Sequence, residues 1–379
     1  MKPIFYTKHT IGRDDIRAVE KILAAEWLTQ GKRVFEFESK IARYCGARYA
    51  VAVNSGTSAL HLATFAAGIQ SGDEVITTPL SFAATANCIL YEGGFPIFAD
   101  VDYETGLLDP EEVEKKITDK TKAVITVDYA GHPSFFRELK RICKDRKLVF
   151  IDDAVHSLGA LYHQKLVGTQ ADMTVFSFHP AKLITTGEGG MLLTDNKSFY
   201  ERALLLRNHG ITKEPKNFVY KSEQRKPWYF EMQELGYNYR ITDFQCMLGL
   251  TQFQKISGFL KKRRELAHAY TKLFEGDKRF RTPKELAGCE SAWHLYPIRI
   301  RDKSIDKEKI FQKCKEYNIF PQVHYIPIHT HPYYQKNFGY RWGDFPKAEA
   351  FYEEEISIPL YPTLRISDVE KIAKIVRSV

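Results

Sequence analysis

Short apolar runs alternate with helical patterns between residues 50 and 195. Several runs are continuous in Val, Ile and Phe, which is typical of strands buried on both faces of a mostly parallel sheet. The helical patterns between them include Ser58–Ala67 and Phe135–Asp145. The alternation predicts an α/β fold in which helices flank a mostly parallel sheet. The predicted strands are Tyr49–Val53, Glu74–Thr78, Phe95–Val101, Ala123–Val127, Leu148–Ile151, Met173–Phe178 and Met191–Thr194.

The pattern changes on either side of this region. A helix is predicted over Asp14–Ala25, and a polar loop dotted with aromatic residues runs from Gly210 to about Gly236, longer than compact domains usually carry without a purpose. A long helix is predicted over Ile241–His268, followed by a C-terminal α+β region. One hydrophobic core rarely grows beyond about 250–300 residues. We therefore expect an N-terminal arm and helix over 1–30, a large domain over 31–255 and a small C-terminal domain over 256–379.

Composition narrows the class of protein. The chain has 379 residues, of which 44% are hydrophobic and 27% charged, and this excludes a disordered or fibrous protein. Its 55 Lys and Arg against 47 Asp and Glu give a net charge of +8. These basic residues are dispersed, and the dense run Lys261–Arg264 is typical of a solvated helix face, so nucleic-acid binding is not expected. The surplus suits an anionic small substrate equally well.

The cysteines and the apolar segments carry further expectations. The six cysteines lie far apart without a CxxC pair, which favours scattered reduced thiols and predicts neither a disulfide framework nor a metal site. No stretch approaches about 20 consecutive apolar residues, and the opening MKPIFYTKHTIG has no secretory core. We therefore expect a cytoplasmic protein that does not bind membranes.

Three segments carry candidate chemistry. In the first, Asn54-Ser55-Gly56-Thr57-Ser58, a strand ends and a helix opens with hydroxyl residues. The free N–H groups and dipole of such a helix start favour an anion. An ordinary serine cap and turn remains the alternative. The segment matches neither a P-loop nor a dinucleotide fingerprint, so a nucleoside triphosphate or NAD is not indicated.

The second segment, Leu148–His156, delivers two carboxylates and a histidine at the carboxyl end of a buried strand. Open α/β sheets place their ligands at that edge. An unpaired buried carboxylate costs several kcal/mol, so at least one Asp should have a cationic or donor partner. A helix cap by Asp153 is the simpler alternative, and a cofactor nitrogen is the more specific one.

The third segment, Phe176–Gly190, contains a lysine in a turn between an apolar strand and a glycine-rich bend. Most lysines are solvated surface residues. Desolvation of Lys182 beside Leu183 and Ile184 would lower its pKa and make the amine a nucleophile for an aldehyde. A phosphate cradle, an acid for a ring nitrogen and a buried amine together match the three attachment points of pyridoxal 5′-phosphate (PLP).

Five motifs, NSGTSALHLA, DDAVHSLGA, FSFHPAKLITTGEGG, RNHGI and ELGYNYRITDFQ, then carry a family resemblance. Over essentially its whole length the chain resembles the DegT/DnrJ/StrS nucleotide-sugar aminotransferases, which are fold-type I PLP enzymes. The segments WYFEMQELGYNYRITDFQ and VHYIPIHTHPYY look most like the branch that aminates UDP-linked 4-keto sugars for pseudaminic acid. Leu183 stands where many relatives have Pro, a departure that concerns the loop and not the lysine.

The resemblance implies roles for individual residues. Lys182 would bind the cofactor covalently and then move protons at the cofactor and substrate carbons. Asp153 would pair with the pyridinium nitrogen, and His156 would lie near the ring or its phenolic oxygen, a satisfied core histidine being the alternative. Phe82 would stack on the ring, unless it is an ordinary core aromatic. The phosphate would be bound by Thr57, Ser58 and Ser177.

The same resemblance implies a homodimer with shared active sites, in which Asn238 reaches the phosphate of the partner subunit's cofactor. It also implies a pocket for the sugar nucleotide, although ordinary structural roles are an equal alternative for its members. These are Tyr6, Trp27, Leu28, Thr29, Gln30, Ser55, His324, Tyr325, Ile326, Pro327 and His329.

The reaction expected from the resemblance is transfer of an amino group from L-glutamate to C4 of a UDP-linked 4-keto-6-deoxy-N-acetylhexosamine. Alternatives are another 4-keto or 3-keto sugar, D-configured or dTDP-linked, and a catalytically silent regulatory protein of the same fold. Dehydratases of the family carry His in place of the lysine, so Lys182 argues against that chemistry.

Overall fold

The central sheet of the computed structural model, which describes residues 2–24 and 27–379, contains all seven predicted strands. They lie in the order β1-β7-β6-β5-β4-β2-β3, and β7 alone among them runs antiparallel to its neighbours. The α/β fold class with a mostly parallel sheet is thereby confirmed. The strands are β1 Tyr49–Val53, β2 Glu74–Thr77, β3 Phe95–Phe98, β4 Thr121–Val127, β5 Val149–Asp153, β6 Met173–Ser177 and β7 Gly190–Thr194.

Helices cover both faces of this sheet, because its strands are apolar on both sides. Ala50 and Ala52 of β1 pack with the helices over 32–45, 136–146 and 243–253, whereas Val51 and Val53 pack with the helices over 56–67 and 197–207. The helices are α1 Arg13–Leu23, α2 Lys32–Cys45, α3 Gly56–Ala67, α4 Ala84–Tyr91, α5 Pro110–Lys116, α6 Phe136–Arg146, α7 Lys197–Arg207, α8 Asp243–Phe253, α9 Ile256–Phe274, α10 Lys307–Glu316, α11 Pro332–Phe338, α12 Pro346–Glu354 and α13 Ile366–Val376.

The prediction of one helix over Ile241–His268 is wrong, because the structure has two helices, α8 and α9, that meet at Lys255. Lys255 Nζ binds the carboxylates of Asp14 and Asp15 at 3.0 and 2.6 Å. Gln252 Nε2 also donates to Asp15, at 2.9 Å. These contacts with the N-terminal helix fix the chain where α8 ends and α9 begins. They join residues far apart in the sequence, so the hydrophobic periodicity of this segment does not predict them. Of the predicted helix Asp14–Ala25, Ala25 lies outside the described residues.

The C-terminal region builds a second core around a three-stranded antiparallel sheet of β8 Phe280–Arg281, β9 Tyr296–Ile300 and β10 Glu355–Ile358. Residues of α9, α10 and α13 fill this core. The predicted boundaries between the arm, the large domain and the small domain stay predictions. Shorter strands are Ile4–Phe5, Leu161–Tyr162, Lys165–Leu166, Ile211–Thr212, Glu231–Met232, Cys289–Glu290 and Ile319–Phe320.

The N-terminal arm crosses between the two cores. Ile4–Phe5 pairs in parallel with Ile319–Phe320, and Leu360 N–H donates to the Tyr6 carbonyl at 3.0 Å. Thr7 Oγ1 then donates to the Ala181 carbonyl, next to Lys182. The arm therefore places Tyr6 at the edge where β1, β5 and β6 end.

Candidate active site

A cavity of about 860 Å³ opens at the carboxyl ends of β1, β5 and β6. Parallel strands bring their carboxyl ends to one edge, and that edge is where open α/β sheets bind ligands. Most of the residues selected from the sequence line this cavity. They are Tyr6, Ser55, Thr57, Ser58, Phe82, Asp153, His156, Ser177, Lys182, His324 and Tyr325.

One wall of the cavity is the N-terminus of α3. Ser55 caps this helix by accepting from Ser58 N–H at 3.0 Å, and Ser58 Oγ donates to Asn54 Oδ1 at 2.7 Å. A Cβ on Gly56 would lie 3.0 Å from Ser177 Cβ, so glycine lets the helix start approach the end of β6. The N–H groups of a first turn have no intrahelical acceptor, and the dipole favours negative charge. This wall therefore suits a phosphate.

Asp153 ends β5 at the floor of the cavity with 2% of its surface exposed. Its Oδ2 accepts from Thr85 Oγ1 at 2.7 Å, whereas no described residue donates to Oδ1. Burial raises the pKa of Asp153 to about 6, against the opposing effects of the Thr85 bond and the positive charge of Lys182. A buried carboxylate with one free oxygen is ready to pair with a protonated nitrogen.

Lys182 lies in the turn after β6. The turn is fixed by backbone bonds from Lys182 N–H to the His179 carbonyl at 2.8 Å and from Thr186 N–H to the Phe178 carbonyl at 3.0 Å. Burial lowers the pKa of Lys182 to about 8, and the Asp153 charge opposes this shift. A lysine with such a pKa supplies free amine near neutral pH, as an amine that attacks an aldehyde requires.

Histidines form another wall. His156 Nε2 lies 3.1 Å from the Tyr325 hydroxyl, and its ring centroid is 4.3 Å from that of His294. Burial lowers the pKa of His156 well below its ordinary value, with the Lys182 charge adding to the shift. No described residue bonds His156 Nδ1, which remains available to a ligand. These imidazoles are neutral hydrogen-bonding groups at physiological pH.

The free oxygen of Asp153, the amine of Lys182 and the α3 N-terminus match a protonated ring nitrogen, an aldehyde and a phosphate. These are the three polar attachment points of PLP, so the residues present fit this cofactor. Phe82 stands at the cavity with 63% of its surface exposed, its ring centroid 6.3 Å from that of Tyr325. That exposure leaves its face available for stacking.

The remaining predicted residues do not line the cavity of this chain. His329 is fully buried and bonds Glu349 at 2.9 Å, so a structural contact accounts for it. Asn238 is exposed, and its carbonyl accepts from Asn54 Nδ2 at 3.2 Å. The roles predicted for these residues stay predictions. The others are Trp27, Leu28, Thr29, Gln30, Ile326 and Pro327, all but Pro327 with clear exposure to solvent.

Several cavity residues were missed by the reasoning from sequence. Thr85 lies on α4, far from Asp153 in the chain, and His294 precedes β9. Neither stands in a local motif. Gln245 could have been found, since it lies in the ELGYNYRITDFQ segment, and its side chain donates to the Glu188 carbonyl at 2.9 Å.

Within residues 2–24 and 27–379, no helix has the length and apolar character needed to cross a membrane. The same residues contain no group of three or more His, Cys, Asp or Glu side chains placed to hold a metal ion.

Comparisons with known proteins agree with this architecture. The chain is 39% identical over 369 residues to the UDP-4-amino-4,6-dideoxy-N-acetyl-beta-L-altrosamine transaminase of Campylobacter jejuni, covering 96% of this chain and 94% of that protein. It is 38% identical over 377 residues to the spore coat polysaccharide biosynthesis protein SpsC of Bacillus subtilis, covering 99% and 96%.

The fold is similar to that of Helicobacter pylori PseC, an aminotransferase involved in the biosynthesis of pseudoaminic acid. The TM-score is 0.92 at 35% sequence identity, and the similarity covers 100% of this chain and 99% of that one. The DegT/DnrJ/EryC1/StrS aminotransferase family matches residues 9–377. The chain therefore belongs to the DegT/DnrJ/EryC1/StrS aminotransferase family.

Proposed function

We propose that this protein is a PLP-dependent aminotransferase that transfers the amino group of L-glutamate to C4 of a UDP-linked 4-keto-6-deoxy-N-acetylhexosamine. One observation carries the proposal: the amine of Lys182 and the free carboxylate oxygen of Asp153 lie in the same cavity, which also contains the N-terminus of α3. Membership in an aminotransferase family supports the same chemistry.

PLP, when bound, supplies an electron-withdrawing ring that stabilises negative charge at the carbon losing a proton. Asp153 would hold a proton on the ring nitrogen through its free oxygen. Ser55, Thr57 and Ser58 at the α3 N-terminus, with Ser177 beside them, would bind the phosphate and orient the ring. These contacts leave the Lys182 amine to act as acid and base.

Lys182 Nζ would remove the proton from the α-carbon of glutamate and deliver one at the cofactor side. In the second half of the reaction it would take a proton from the cofactor side and deliver one to C4 of the sugar, the carbon that gains the amine. General bases act best when their pKa lies near the working pH. The burial that lowers the pKa of Lys182 to about 8 meets this requirement. The neutral His156 would donate or accept a hydrogen bond beside the ring without adding charge.

The similarity to the Campylobacter jejuni transaminase and to PseC supports a UDP-linked 4-keto sugar as acceptor. A cavity of about 860 Å³ is large enough for a cofactor ring and a sugar together. Lys182 is the one lysine or arginine among the described residues that line it. A diphosphate bound there needs further cations, and a second subunit would supply them.

We accordingly propose a homodimer with shared active sites. The segment that contains Asn238 and Arg240 is anchored to the α3 wall by the bond from Asn54 N–H to the Tyr239 carbonyl at 2.9 Å. Asn238 itself is exposed, so its side chain is free to reach the partner's phosphate.

The chain is also 38% identical to SpsC of Bacillus subtilis, a protein of spore coat polysaccharide biosynthesis, against 39% for the Campylobacter jejuni transaminase. Another nucleotide-linked 4-keto or 3-keto sugar, D-configured or dTDP-linked, is therefore the alternative substrate.

The test is an amino-transfer assay with purified protein, PLP, L-glutamate and a panel of UDP- and dTDP-linked keto-sugars. Mass spectrometry would detect the amino sugar, and NMR would assign the amine-bearing carbon and its configuration. We expect transfer to C4 of the UDP-linked sugar and no transfer by Lys182→Ala. Lys165→Ala, which alters an exposed lysine, is the matched control. Absence of transfer to every sugar by protein that retains PLP would contradict the proposal.

A further inference from the structure

A chain of buried polar groups leads from β10 of the C-terminal sheet to the cavity wall. Glu355 and Ser357 on β10 are fully buried. Glu355 Oε1 accepts from Ser357 Oγ at 2.5 Å, and Ser357 Oγ lies 2.8 Å from His324 Nδ1. The other carboxylate oxygen, Oε2, accepts from the backbone N–H of His324 at 2.8 Å. His324 lines the cavity that contains Lys182.

The position of one proton decides the direction of these bonds. An ionised carboxylate only accepts, and a serine hydroxyl has a single proton to donate. When Ser357 donates to Glu355, it must therefore accept from His324 Nδ1–H. Burial lowers the pKa of His324 to about 3, so the ring is neutral and carries one N–H. A proton on Nδ1 leaves Nε2 with a free lone pair.

We propose that Glu355, acting through Ser357, is a positioning residue that fixes His324 as the Nδ1–H tautomer. In this tautomer Nε2 is presented to the cavity as an acceptor for a hydroxyl or amino hydrogen of the bound substrate. The tautomer follows from the hydrogen bonds of an ionised Glu355, whereas the identity of the substrate rests on the proposed function.

Neighbouring residues hold the backbone and the ring of His324, so only the position of its ring proton can change. The Tyr129 hydroxyl donates to the His324 carbonyl at 2.6 Å. The ring contacts those of Tyr6 and Tyr325, at centroid distances of 5.0 and 4.8 Å. With backbone and ring both held, exchange of the two nitrogens by ring rotation is hindered.

The state of Glu355 would then set the state of His324. Burial raises the pKa of Glu355 to about 7, against the opposing effects of the Ser357 and His324 bonds and the Lys307 charge. Tyr129 and Tyr325 also face this carboxylate, and Arg299 is its partner across β9 and β10. Once protonated, Glu355 donates to Ser357, which then donates to Nδ1. The His324 proton moves to Nε2, and the acceptor in the cavity becomes a donor.

Glu355→Gln tests this directly, because a glutamine carbonyl can still accept from the His324 backbone while its NH₂ donates to Ser357. The chain of bonds then runs in the opposite direction at every pH. The ¹⁵N shifts and ring couplings of ¹⁵N-histidine-labelled protein report the tautomer, and the His324→Gln spectrum identifies the signal. We expect Nδ1–H in the unaltered protein at pH 8, a change toward Nε2–H as the pH falls through about 7, and Nε2–H throughout in Glu355→Gln.

Kinetics provide the second measurement. We expect Glu355→Gln to lower kcat/KM for the sugar by about tenfold to a hundredfold, since a donor then faces a substrate donor in a desolvated site. When Glu355→Gln is added to His324→Gln, kcat/KM should not fall further. Glu353→Gln, which neutralises the exposed carboxylate two residues earlier, should leave both the tautomer and kcat/KM unchanged.

An Nε2–H tautomer in the unaltered protein at pH 8, or the same tautomer in Glu355→Gln as in the unaltered protein, overturns the inference. Both measurements of tautomer are made without substrate. A protein that transfers no amine would therefore contradict the proposed function while the spectra still decide the state of His324.

Discussion

The depressed pKa of Lys182 predicts unusual reactivity for one lysine in the PLP-free protein. With a pKa of about 8, about 9% of its amine is unprotonated at pH 7, compared with about 0.03% for a lysine at its ordinary value. At that pH its fraction of free amine is roughly 300 times that of a lysine at the ordinary pKa, so it should react with acetic anhydride faster than a lysine at the ordinary pKa. Mass spectrometry of the labelled peptides across pH 6–10 would give the midpoint directly.

The Asp153 charge opposes the effect of burial on Lys182. Asp153→Asn removes this charge and keeps the side-chain shape, so the Lys182 pKa should fall below 8. Asp145→Asn removes an exposed carboxylate on α6 and should leave the midpoint unchanged. A Lys182 midpoint near that of surface lysines, or an upward shift in Asp153→Asn, would refute the electrostatic account of this site.

Three further predictions concern Thr85, Arg263 and Gly190, which contact residues that line the cavity. Thr85→Val removes the 2.7 Å hydrogen bond to the Asp153 carboxylate and should raise the pKa of that group, which would move the acidic limb of kcat/KM to higher pH, whereas Thr85→Ser should keep the original profile. Arg263→Met leaves the buried carbonyl oxygens of His294 and Leu360 and the partly buried one of Trp293 without their donor at 2.9–3.1 Å. Urea unfolding should show a loss of about 3 kcal/mol or more, against almost none for the exposed Lys261→Met. Gly190→Ala would place a Cβ 2.2 Å from the carbonyl of the helix-capping serine, so thermal unfolding and PLP titration should show lower stability and weaker binding. Gly258→Ala has open space in a helix and should gain about 0.5–1 kcal/mol.

The sheet and much of the cavity could be predicted from sequence because their signals are local. A strand buried on both faces appears as a continuous apolar run, and the groups at its carboxyl end follow in the next few residues, as Asp153 and Ser177 do. Lys182 was found in the same way, from a strand end and a glycine-rich turn. The order of these groups along the chain matches the attachment points of one cofactor, and the roles inferred from that match stay predictions.

The features that the sequence did not predict arise from tertiary packing. Thr85 touches Asp153 because α4 packs beside the end of β5, and His294 reaches the cavity from the C-terminal sheet. Their spacing along the chain contains no periodic signal for either contact. The break at Lys255 has the same origin, because its ammonium group binds carboxylates of the N-terminal helix.

The parallel pairing of Ile4–Phe5 with Ile319–Phe320 has a consequence for biosynthesis. Ile4–Phe5 can pair with its partner strand only after the long segment between the two strands has been synthesised. Tyr6 therefore joins the cavity wall late, when the segment bearing His324 has also emerged. A nascent chain can therefore complete the central sheet before the wall of the cavity is complete.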